Sequence, residues 1–229
     1  ATVVNDAGIE FAASTVRGIL SATATTGNIT DSGTLTITGT TTLVTSANDA
    51  TITLNDADNA FTGALTITTN DASGTDADVI IDGGTTALII AASTIDGDLT
   101  LISGHTSGIT DSGTVTVGGD LAATTDAGNG VINMDQLAVT GSIALTTNGN
   151  GAATVVNDAA IEFAASTVRG ALSATATTGD ITDSGALAVT GPSTFTAADG
   201  QSATLNNSNN FDGTVTFATA SGNLKNVTI

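Results

Sequence analysis

The pentapeptide Ile-Thr-Asp-Ser-Gly occurs three times, at residues 29–33, 109–113 and 181–185. Each copy sits in a longer shared frame: a Ser-Thr-Val/Ile segment closed by glycine, a strand-like run, the pentapeptide, then an alternating run that ends in glycine. These frames span residues 14–39, 93–119 and 166–191, and residues 1–39 are identical to residues 153–191 at 33 of 39 positions. A chain made by copying one supersecondary unit buries its core between neighbouring copies, so residues 1–229 are read as one stacked segment rather than as dissimilar domains.

The units within the stack are strands. Apolar residues alternate with threonine at residues 34–38, 51–54, 64–69, 114–117 and 214–217, putting Leu35, Ile37, Ile52, Leu54, Leu65, Ile67, Val115 and Val117 on one face and threonines on the other. Helix is disfavoured by 47 Thr and by 27 Gly spread through the chain. Glycines ahead of strands fall at Gly18, Gly39, Gly63, Gly97, Gly119, Gly141, Gly170, Gly191 and Gly213, with gaps of 21, 24, 34, 22, 22, 29, 21 and 22. A spacing of 21–24 residues suits one coil of three short strands and three turns. The expected fold is therefore all-β: a parallel β-helix (β-solenoid) of about ten coils, on the order of 50 Å long at the usual strand spacing. The two longer gaps, which hold residues 71–84 and 148–158, read as loops or extra strands inserted into a coil. Phe61 and Phe211, at matching places in two Asn/Asp-rich turns, are expected to plug the core.

Charge narrows the partners. With 22 acidic residues against Arg17, Arg169 and Lys225 the formal charge is -19, so no surface can neutralise a phosphate backbone and nucleic acid is excluded. No apolar run reaches the length of a membrane span, and the opening residues lack the basic-then-apolar pattern of a signal segment. The absence of cysteine fits either redox compartment. The opening motif ATVVND recurs internally at residues 153–158, so a longer parent chain is expected.

The ITDSG and Asn-x-Phe-x-Gly coils of about 22 residues resemble the repeat regions of filamentous-haemagglutinin-like exoproteins, β-strand-repeat bacterial surface adhesins. The resemblance covers essentially the whole chain through the frames at residues 14–39, 93–119 and 166–191. It implies a right-handed parallel β-helix, exported to the cell surface as a long fibre, often through a dedicated outer-membrane partner.

Few residues ask for chemistry. Asp31, Asp111 and Asp183 present carboxylates at equivalent points, but Asp-Ser-Gly is a turn sequence. Asp56 with Asp58, and residues 76–79, have oxygen-rich spacing that could hold Ca²⁺ weakly; neither matches a calcium β-roll nonapeptide or an EF-hand loop. Glu10 with Arg17, and Glu162 with Arg169, are read as exposed ion pairs worth about 0–1 kcal/mol each. His105, the single histidine, stands where the other copies have Thr25 and Thr177 and is read as a loop residue. The sequons at Asn28, Asn206 and Asn226 are of a kind frequent by chance in so Thr-rich a chain.

No catalytic, cofactor or metal residue is therefore assigned, and the chain is expected not to be an enzyme. A β-helix acting on acidic polysaccharide would need basic residues for uronates and aromatic platforms, whereas this chain has three basic residues and no Tyr or Trp. Threonine ladders such as Thr34, Thr36 and Thr38 raise ice or glycan binding as an alternative, weakened where residues 186–189 read Ala-Leu-Ala-Val. The expectation is an extracellular structural segment of a bacterial fibre or large adhesin. Its partners would be other copies of itself, stacked head to tail or laterally, and host or matrix glycans or proteins. Raw strand edges at both ends of a coil stack invite such pairing.

Overall fold

The computed structural model describes residues 1–70, 72 and 76–229. Its regular structure is all strand, with no helix among the described residues. All strand pairs are parallel and each joins one coil to the next. Two long sheets run the length of the stack. The first passes from Thr2–Asn5 through Leu20–Ala24, Thr41–Thr45 and Leu65–Thr68 to Val215–Thr219; the second passes from Ile9–Phe11 to Val227–Thr228. A short third sheet joins Ser14–Val16, Leu35–Ile37 and Ala60–Phe61, and its later counterparts merge into the two long sheets.

Among the described residues each long sheet is crossed by a path of eleven strands, which gives about eleven coils where glycine counting gave about ten. The long glycine gaps account for the difference. Gly18, Gly39 and Gly63 stand ahead of first-sheet strands, Gly97, Gly119 and Gly141 ahead of second-sheet strands, and Gly170, Gly191 and Gly213 ahead of first-sheet strands again. The gaps of 34 and 29 residues are thus changes of phase, in which the repeat moves by part of a turn to another face; they contribute three coils between them. The expectation of insertions is corrected accordingly for the described residues, and residues 71 and 73–75 of the first lie outside them. The pentapeptide shows the same rotation. Ile29–Asp31 and Ile181–Asp183 lie in the second sheet, whereas Ile109–Asp111 lies in the first.

The core is a set of ladders. In the second sheet Ile9, Ile29, Ile52, Val79, Leu99, Leu121, Ile143 and Phe163 stand in register in successive coils. All are buried, and each buried aliphatic side chain contributes about 1.5–3 kcal/mol. The eight apolar residues assigned inward from alternation are buried, and Phe61 is fully so. Phe211 is only partly buried: it packs edge-on against Phe195 at 5.9 Å, on a coil flanked by the exposed last turn. Some threonines also point inward. Thr45, Thr125 and Thr147 donate to the carbonyls of Ala50, Gly130 and Gly151 at 3.1, 3.0 and 2.7 Å, so each hydroxyl closes its own corner.

Candidate functional site

The aspartate of the pentapeptide ends a three-residue strand and reaches across to the next coil. Asp31 accepts the backbone N–H groups of Asn55 and Asp56 at 3.1 and 3.3 Å and the Asn59 side-chain amide at 2.7 Å. Asp183 repeats this with the N–H groups of Asn206 and Asn207 at 3.0 and 3.3 Å and the Asn209 side-chain amide at 2.7 Å. On its rotated face Asp111 takes the N–H groups of Asp135 and Gln136 at 3.2 and 2.8 Å. These carboxylates are already engaged as clamps between coils.

Asn59 and Asn209 complete the clamp, and sequence reading placed them only as turn residues. Each accepts a backbone N–H from the preceding coil, that of Leu35 for Asn59 and that of Leu187 for Asn209, both at 2.7 Å. The signal lay in the Asn-x-Phe-x-Gly pattern, whose asparagine falls one coil after the aspartate it serves.

A second acidic column runs through Asp78, Asp98 and Asp120. The Asp98 N–H donates to Asp78 Oδ1 at 2.8 Å, the Asp120 N–H to Asp98 Oδ1 at 2.7 Å, and the Ser142 N–H to Asp120 Oδ1 at 2.6 Å. Glycine precedes each donating residue because the accepting carboxylate folds over that glycine: a Cβ on Gly119 would lie 2.1 Å from Asp98 Oδ1.

One acidic corner brings Asp82 within electrostatic reach of Asp126, Asp56 and Asp31. Burial holds the Asp82 carboxyl above the ordinary carboxylate range and its three acidic neighbours push the same way, against the opposing Gly84 N–H at 2.8 Å. Asp111 is also raised, chiefly by burial, against the Gln136 and Asp135 N–H groups. Asp82 and Asp126 line an open hollow of about 300 Å³ with Ala57, Gly84, Thr85, Gly104 and Ala127.

The remaining candidates are dispersed. Asp56 Oδ1 takes the Asp58 N–H at 3.0 Å and the Thr34 hydroxyl at 3.2 Å. Among the described residues no group of three or more His, Asp or Glu side chains is arranged to hold a metal ion. His105 sits in a turn, its Nδ1 accepting the Ser107 N–H at 3.0 Å, and borders a shallow groove of about 290 Å³ with Phe61, Thr86 and Ile89. The expected Glu–Arg ion pairs do not form among the described residues. Glu10 and Glu162 stand within strands of the second sheet while Arg17 and Arg169 lie beyond the following corner, on another side of the coil. The three sequon asparagines are exposed.

Residues 1–68 and 149–218 match a family described as repeats of unknown function (DUF5649). No curated protein matches the chain. No solved structure matches it either.

Proposed function

We propose that this chain, which belongs to the DUF5649 repeat family, is a structural segment of an extracellular bacterial fibre or large surface adhesin, giving reach and self-association. The observation that carries the reading is the use made of the polar residues most regular in the sequence. Asp31, Asp111, Asp183, Asp78, Asp98 and Asp120 all spend carboxylate oxygens on backbone N–H groups of the next coil. Such a molecule resists bending and shear, because every coil is tied to its neighbour by ladder bonds, apolar columns and charged hydrogen bonds together.

The self-association part of the reading rests on the general tendency of parallel strand edges to pair with another chain. Electron microscopy of the purified chain tests the reading. Rods that lengthen into filaments with concentration support it; compact particles of constant size refute it.

A second reading has one observation in its favour. Outward residues of the first sheet form Ser/Thr pairs at Ser21 with Thr23, Thr66 with Thr68, Ser173 with Thr175 and Thr194 with Thr196. The Ala-Leu-Ala-Val segment lies in the second sheet and does not interrupt this face, but Val44 and Val156 do. A freezing-hysteresis assay distinguishes this ice-binding surface from a plain shaft.

A further inference from the structure

The sequence holds three Asn-Gly pairs: Asn129 with Gly130, Asn148 with Gly149, and Asn150 with Gly151. All three lie at one corner of two successive coils, just past the second-sheet strands Leu121–Gly128 and Ser142–Asn148. Asn-Gly is the dipeptide most prone to deamidation, because glycine has no Cβ to shield its amide nitrogen from the asparagine Cγ. The three pairs are alike in sequence, so the fold decides which of them can react.

Two of the three attacking nitrogens are occupied. The Gly130 N–H donates to the Ala127 carbonyl at 3.1 Å and the Gly151 N–H to the Asn148 carbonyl at 2.9 Å, and both glycines are buried. Attack by either nitrogen first requires a turn bond to break. The Asn129 side chain is held as well, its Oδ1 accepting the Asn150 N–H at 2.8 Å. Gly149 differs: it is exposed, and among the described residues its N–H meets no acceptor. Asn148 is exposed too, and among the described residues its side chain makes one hydrogen bond, from Nδ2 to the Asp126 carbonyl at 3.3 Å, beyond the usual range. The corner also demands its glycine. Gly149 stands at φ +61°, and a Cβ there would lie 2.7 Å from the Asn129 nitrogen.

We infer that Asn148 is a built-in deamidation site whose conversion unlocks this corner of the stack. The Gly149 nitrogen, having lost its proton to hydroxide, attacks Asn148 Cγ. The N–Cγ bond forms, the Cγ–Nδ2 bond breaks, and Nδ2 takes a proton from water and leaves as ammonia. Water then opens the cyclic imide at either carbonyl, leaving aspartate or isoaspartate. In the isoaspartate the main chain runs through Cγ, and the former Asn148 carbonyl becomes a free carboxylate. That carbonyl is the acceptor for the Asn129 N–H of the preceding coil at 3.0 Å and for the Gly151 N–H at 2.9 Å, so rerouting the chain pulls apart the bonds that close the corner. Either product also replaces the Nδ2 donor with an acceptor facing the Asp126 carbonyl. This chemistry goes beyond the fibre reading and does not depend on it.

The test incubates the folded full chain at mildly alkaline pH beside the same chain in urea, and maps aspartate and isoaspartate at each asparagine by peptide mass analysis. In the folded chain Asn148 is expected to convert about tenfold faster than Asn129 or Asn150, whereas in urea the three rates converge. Hydrogen exchange at the Asn129 and Gly151 amides should then be about tenfold faster in the converted chain than in fresh chain. It should be unchanged by the same incubation in Asn148→Gln, whose longer side chain closes a ring far more slowly. Equal rates at the three sites of the folded chain overturn the assignment, as does faster conversion at Asn129 or Asn150. Absence of conversion at Asn148 over the time the urea sample reacts overturns it too. Conversion at Asn148 with unchanged exchange at Asn129 overturns the unlocking of the corner. None of these readouts involves filaments, so failure here is distinguishable from failure of the fibre reading.

Discussion

Asn157 and Asn5 occupy the same place in two near-identical segments, and replacing each by alanine separates the effect of being covered from everything local. Asn157 is 1 % exposed, accepts the Val139 N–H at 2.8 Å, and donates to the carbonyls of Val139 at 3.0 Å and Ala160 at 2.7 Å. Alanine leaves the buried Val139 N–H without a partner, which costs about 1–3 kcal/mol, and removes two further hydrogen bonds worth roughly 1 kcal/mol each. The total for Asn157→Ala is about 3–5 kcal/mol. Among the described residues the Asn5 side chain makes one hydrogen bond, to the Gly8 carbonyl at 2.7 Å, at an exposed position, so Asn5→Ala should cost no more than about 1 kcal/mol. Urea unfolding of both variants measures the totals. Because a repeat array can unfold in sections, exchange at Val139 is followed as well, and it should accelerate only in Asn157→Ala. Equal destabilisation by the two changes would refute the reasoning, since it would mean that stacking adds nothing to the local turn.

Three other perturbations test separate parts of the account. Among the described residues the buried hydroxyls of Thr41 and Ser193 have no hydrogen-bond partner, so Thr41→Val and Ser193→Ala should each stabilise the protein by about 1 kcal/mol, read as a higher urea midpoint. A Cβ on Gly39 would meet the Gly18 carbonyl carbon at 2.5 Å, while one on Gly18 would meet nothing within 4 Å; Gly39→Ala should therefore cost upward of about 2 kcal/mol and Gly18→Ala within about 0.5 kcal/mol. Asp82 and Asp111 titrate above their unfolded range in the native state, so the folded form binds more protons just above pH 3.8. Stability from these two groups is present at lower pH and lost as pH rises through their native values. Melting scans from pH 7 down to pH 4 should show this as a rise in melting temperature that is smaller in Asp82→Asn.

The parts of the fold written in local pattern were legible before the structure. Alternation placed Leu35, Ile37, Leu65 and Val117 inward, and glycine spacing gave the coil length, because both depend on a few adjacent residues. The rotation of the middle repeat was not legible. All three faces of a coil accept the same alternating strand, so nothing within residues 109–113 says which sheet will take them. The phase is fixed by the contents of the preceding coil, a non-local matter. The clamp was half legible for a related reason: Asp31 and Asn59 are each ordinary turn residues, and only the stack brings them to 2.7 Å. The Glu–Arg pairs failed in the opposite way, since seven residues along the chain is enough to turn a corner.

The central claim is that the chain is a rigid stack of parallel coils, and cryo-electron microscopy of the purified protein tests it most directly. The account predicts rods with an axial repeat of about 4.8 Å and a length on the order of 50 Å for a single chain, extending in multiples where chains join. Particles without that axial repeat would contradict it.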